Sequence, residues 1–154
     1  MKITRRAAVF GAIAAGSATA AEAADDPAST VRDLLRRAQR GQTLPELVAA
    51  PDAAAYFTAD LLARLTNIDV PALFPGLRPL GGPGDDEAPP RLLAMRTLRR
   101  RRDTALVVAT LRPRGRGRRP WTTAFALRHE NRRWRIDDLW IESDERTLRE
   151  RAAI

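Results

Sequence analysis

The chain has no cysteine, one histidine (His129) and one lysine (Lys2). Without thiols there can be neither a disulfide framework nor a thiolate metal site. One imidazole also falls short of the two or three that histidine-ligated metals use, so neither a metal nor a cofactor is expected and packing alone must hold the fold. Aromatic residues make up only 5% of 154 residues, so each large ring needs a place in the core or a reason to be outside it. No uncharged stretch reaches the ~20 apolar residues that span a bilayer, which excludes stable membrane insertion.

Arginine, by contrast, is abundant. Basic residues number 27 against 19 acidic ones, for a net charge of +8. The surplus is local: fifteen arginines from Arg91 to Arg135 are accompanied only by Asp103 and Glu130, while residues 24–90 and 136–154 are both acidic on balance. The near-absence of lysine is explained more simply by biased base composition than by selection for guanidinium chemistry.

The first 23 residues have the three-part anatomy of an export signal. Lys2, Arg5 and Arg6 precede an uncharged, alanine-rich stretch from Ala7 to Ala21, and small residues then offer cleavage after Ala20 or after Ala23, the second being preferred. Thr4-Arg5-Arg6-Ala7-Ala8-Val9-Phe10 is similar to a twin-arginine signal, although Ala8 stands where a larger apolar residue is usual and the general secretory route stays open. A periplasmic product of one domain, residues 24–154, is expected.

In that domain Ser29 or Thr30 can cap a helix whose apolar stripe is Val31, Leu34, Leu35 and Ala38, ending at Gly41. A second helix is expected from Asp52 to Asn67 on Ala54, Phe57, Leu61 and Leu65. Prolines and glycines forbid regular structure over most of residues 69–90. Four strands follow, Leu92–Leu98, Ala105–Leu111, Trp121–Arg128 and Trp134–Ile141, and a polar helix from Asp144 to Ala152 closes the chain. A hairpin centred on Glu130-Asn131 would set Leu127 opposite Trp134, Phe125 opposite Ile136, Thr123 opposite Asp138 and Trp121 opposite Trp140. The preceding hairpin would set Leu111 opposite Trp121, Ala109 opposite Thr123 and Val107 opposite Phe125. Together these pairings gather the large apolar side chains on one face.

Two helices carrying Tyr56-Phe57-Thr58-Ala59-Asp60-Leu61-Leu62, then strands ending in Trp134-Arg135-Ile136-Asp137-Asp138-Leu139, resemble secreted members of the nuclear transport factor two-like, or cystatin-like cone, superfamily, including periplasmic domains of unknown function. The resemblance spans roughly residues 28–150. It implies an α+β fold in which helices pack on a bent antiparallel sheet and leave a pocket that is catalytic in some members and only binds in others. It also implies that a homodimer through the open sheet face is possible. The chain lacks the histidine and carboxylate pair of the catalytic members.

In the expected register Asp138 is the one ionisable group on the apolar face, where desolvation would raise its pKa and suit it to act as a base; alternatively it is a structural acceptor. Tyr56, Trp121, Thr123, Asp138 and Trp140 would line a ligand pocket. Arg114, Arg116, Arg118 and Arg119 form a basic loop suited to anionic surfaces, without aromatic residues to stack bases, so no nucleic-acid partner is expected in an exported protein. Three readings of function are open. The first is a non-catalytic binding or accessory domain for a small molecule or an envelope protein. The second is a small isomerase or dehydratase using Asp138. The third is attachment to anionic surfaces through the arginine-rich hairpin.

Overall fold

The computed structural model describes residues 26–66, 68, 80, 89–114, 119–142 and 146–153. The expected leader with its cleavage sites, most of the proline-rich loop, and Arg116 and Arg118 lie outside them. The first helix, α1 (Pro27–Gln39), begins earlier than expected, because Asp26 accepts the Ala28 N–H at 3.0 Å and Pro27 presets the first turn. Thr30 is used differently: its hydroxyl donates to the Trp134 carbonyl at 2.9 Å and ties α1 to the sheet. Val31, Leu34, Leu35 and Ala38 are buried as the stripe requires, and Gly41 ends the turn at φ 94°.

A short helix, α2 (Leu44–Ala49), is an addition to the expected elements. It starts on a capping box in which the Thr43 N–H donates to Glu46 at 2.7 Å. The single helix expected over 52–67 is instead broken into a 3-10 turn, Ala53–Ala55, and a helix α3, Ala59–Leu65. Tertiary pairing overrides the helical periodicity here. The Ile136 N–H donates to the Tyr56 carbonyl at 2.7 Å, the Thr58 N–H donates to the Ile136 carbonyl at 2.9 Å, and Phe57 makes a parallel bridge with Ile136. That bridge covers the middle of an edge strand whose polar backbone would otherwise be open. Thr58 then caps α3, its hydroxyl oxygen accepting the Leu61 N–H at 3.3 Å.

Four antiparallel strands run in sequence order, β1 (Arg91–Arg100), β2 (Thr104–Arg112), β3 (Trp121–Glu130) and β4 (Arg133–Ile141), forming an open sheet, and a short helix α4 (Leu148–Arg151) comes after them. The class is α+β. Among the described residues no helix is long and apolar enough to cross a membrane. One face of the sheet, carrying Val107, Ala109, Leu111, Phe125, Leu127, Trp134, Ile136 and Leu139, packs against Val31, Leu34, Leu35, Leu47, Leu61 and Leu65 from the helices and against the bridging Phe57. At the end of this core Trp134 lies against His129, with ring centroids 4.9 Å apart, and under the Arg100 guanidinium at 5.8 Å.

The β2–β3 register is as expected, with Leu111 opposite Trp121, Ala109 opposite Thr123 and Val107 opposite Phe125. The β3–β4 register is not. The turn centres on Asn131-Arg132, both at positive φ (50° and 63°), the backbone of a two-residue type I′ hairpin. Leu127 therefore faces Ile136 and His129 faces Trp134, a slip of two that leaves the side chains up to Ile136 on their expected face. A bulge then intervenes, since Leu127 pairs with Ile136 but Ala126 pairs with Asp138. The extra residue, Asp137, reverses the parity of the remainder of β4. Leu139 and Ile141 join the core, opposite Phe125 and Thr123, while Asp138 and Trp140 fall opposite Ala126 and Ala124 on the other face.

An arginine at positive φ is strained by about 1 kcal/mol, and glycine is the residue this turn position favours. Arg132→Gly is accordingly expected to raise the thermal midpoint by about 3 °C. Differential scanning calorimetry checks it, and a lower midpoint would contradict the turn assignment.

Candidate functional site

The bulge in β4 assembles the densest polar cluster among the described residues. Asp137, with 14% of its side chain exposed, accepts from the Thr58 hydroxyl at 2.9 Å and from Arg149 Nη2 at 2.6 Å, and pairs with Arg128 Nε at 3.1 Å. Arg149 is the hub. Its Nε donates to the Asp137 carbonyl at 2.6 Å and its Nη1 reaches Asp60 at 2.6 Å, so one guanidinium joins α4, the β4 bulge and α3. A planar fork suits this multidentate role better than an ammonium would.

Asp138 is committed next to it. Its Oδ1 accepts the Leu139 N–H at 2.8 Å and the Arg149 N–H at 3.0 Å, which makes it the acceptor that fixes the start of α4 against β4. The expected placement of Asp138 on the apolar face, opposite Thr123, is therefore corrected. The bulge turns it outward, and Thr123 lies fully buried opposite Ile141.

The five expected pocket residues are not brought together. Tyr56 sits beside β4 at Ile136, with the Arg37 guanidinium over its ring at 5.3 Å. Trp121 lies at the far end of β3, six residues from the Leu127 that pairs with Ile136, about 20 Å along the strand. Trp140, half-buried, is on the opposite face from Thr123. Of the basic loop, Arg114 and Arg119 are exposed. The described residues contain no cluster of three or more metal-ligating side chains.

Electrostatically the cluster is a set of committed carboxylates. Arg149, aided by Arg64, holds the exposed Asp60 carboxyl below its ordinary 3.8. Partial burial opposes the charge on Arg149, but its bonds to Asp60 and Asp137 outweigh that and keep it above its ordinary value. Arg37 lowers Asp52 in the same way, through a 2.7 Å contact.

The other face of the sheet is different in kind. The pairing register puts Arg91, Ala94, Arg96 and Arg99 of β1, Leu106, Val108, Thr110 and Arg112 of β2, and Ala124 and Ala126 of β3 on it, beside Trp140. Sequence periodicity does not reveal this, because Arg91, Arg96 and Arg99 do not share parity. Two bulges in β1, between Leu92 and Ala94 and between Thr97 and Arg99, bring all three to one side. Compared with known proteins, the chain matches no family model, no curated protein and no solved structure.

Two outcomes test the cluster. Arg149→Ala is expected to cost about 2 kcal/mol in urea unfolding, because charge-assisted bonds at a half-buried carboxylate are lost; Arg149→Lys should recover less than half of that. An unchanged midpoint in the alanine variant would contradict the hub role. Asp60 and Asp52 have folded pKa values below their unfolded value of 3.8, so the stability they contribute is present above 3.8 and drains as pH falls through the lower folded values. Asp60→Asn should therefore flatten the fall of thermal midpoint between pH 5 and about pH 2, and an unaltered acid limb would contradict the coupling.

Proposed function

We propose that the chain is an exported, non-catalytic binding or accessory domain, built on the cystatin-like cone that its sequence resembles, and that it binds through the open sheet face. The observation that carries this reading is the commitment of Asp138. Asp138 is the one candidate base, and it stands outside the apolar interior, opposite Ala126. There its Oδ1 accepts two backbone N–H groups and anchors α4 instead of facing a dry pocket that would tune it for proton transfer. A pocket between helices and sheet draws little support from a wall on which Val31, Leu34, Phe57, Leu61, Val107, Phe125 and Ile136 have no exposed surface. The open face, by contrast, offers half-buried Leu106, Val108 and Trp140 bordered by exposed arginines, the mixture of apolar centre and charged rim that binding surfaces use.

Export is part of the reading and rests on residues 1–23. Photo-crosslinking in cells tests both parts together. A crosslinking residue at Val108 should capture an envelope partner, protein or lipid, on an exported product that begins at Ala24, while one at the exposed Ala63 of α3 should not. Capture from Ala63 alone, or a product retained in the cytoplasm, would count against it.

A further inference from the structure

The β1–β2 half of the open face is acid-free. Arg91, Arg96, Arg99 and Arg112 are all exposed, and none of the ion pairs among the described residues includes them, whereas Arg128 and Arg135, on β3 and β4, are paired with Asp137 and Glu130. Arg91 stands directly opposite Arg112. Like charges in that position oppose sheet pairing, so the fold carries the pair at a cost and an external anion would relieve it. Along β1 the strand rise separates Arg91 from Arg96 by about 13 Å and Arg96 from Arg99 by about 7 Å. Such spacings exceed the reach of one small anion and suit an array of separate ones.

Two further features indicate which array. The residues inserted at the β1 bulges are Leu93 and Leu98, and they are the large hydrophobic side chains most exposed among the described residues, at 42% and 52%. Each lies along β1 between two of the arginines, and exposed leucines interspersed with guanidinia match a surface with charged groups above an apolar layer. The same bulges interrupt the outer ladder of β1, which disfavours an added acidic strand. We infer that this half-face attaches the domain to an anionic lipid surface, with the arginines on phosphates and the two leucines below them. The inference rests on the binding-domain reading above.

Co-sedimentation of the purified chain with vesicles tests it, using phosphatidylglycerol mixed into phosphatidylcholine against phosphatidylcholine alone. Binding only to the anionic vesicles is expected, falling steeply with salt. Each arginine near such a surface contributes about a factor of five, so R91Q/R96Q/R99Q should weaken binding about 100-fold. R36Q/R40Q/R64Q, which removes the same charge from the helix layer, should weaken it only a few-fold. L93S/L98S, with all arginines kept, should still weaken it severalfold. Equal losses in the two arginine triples would overturn the inference, since overall charge would then suffice. Binding to poly-glutamate but not to vesicles would replace the lipid with an acidic protein. A dimer in light scattering that the β1 triple dissolves would assign the face to a second copy and overturn it as well. Vesicle binding failing while Val108 still crosslinks a periplasmic partner would remove the lipid and leave the binding domain standing; loss of both would remove both.

Discussion

Asp137 has no partner on β3, and the geometry of the molecule's most connected region depends on that one unpaired residue. Before it, β4 presents Trp134 and Ile136 to the core; after it, Leu139 and Ile141. Because the insertion reverses parity, an aspartate and a tryptophan that alternation would bury are turned out, and two aliphatic residues take their places. The core stays apolar: the inserted Asp137 takes Thr58, Arg128 and the Arg149 guanidinium, and the displaced Asp138 takes the Leu139 and Arg149 N–H groups. Burying Asp138 unpaired in that core would have cost several kcal/mol, so the bulge resolves a conflict in the sequence instead of creating one.

The same stretch of β4 organises the helical layer. Ile136 exchanges both of its backbone hydrogen bonds with Tyr56 and Thr58, which ends the 3-10 turn, starts α3 and covers the strand edge together. Thr58 is buried and acts three ways, as a backbone donor, as the cap of α3 and as a donor to Asp137. Arg149 then joins α4 to both sides of this junction. Fold and polar cluster are one construction, and its acids are occupied in holding elements together, which is why the binding reading turns to the opposite face.

Much of this is legible in residue order and some is not. The four strands and the β2–β3 register can be read because Pro113 and Pro120 bound the connection and alternation is strict on both sides. Helix α2 does leave a signal, the Thr43-x-x-Glu46 capping box, but the segment is too short for its apolar spacing to reinforce it. The break at Tyr56-Phe57 leaves only the cap-type residue Thr58, since the helical stripe through Phe57 and Leu61 is intact and a strand some eighty residues away overrides it. Positive φ at Arg132 is equally hidden, arginine being an unusual choice for that position. The grouping of Arg91, Arg96 and Arg99 is masked for the same reason as the fate of Asp138: in each case a bulge changes parity without changing composition.

The register around Asp137 decides which side chains face the helices, and nuclear Overhauser contacts across β3 and β4 measure it directly. Cross-strand backbone contacts between Leu127 and Ile136 and between Ala126 and Asp138 are the predicted result. Contacts joining Phe125 to Ile136 and Thr123 to Asp138 would contradict it, returning Asp138 to the apolar wall and removing the reason for placing binding on the open face.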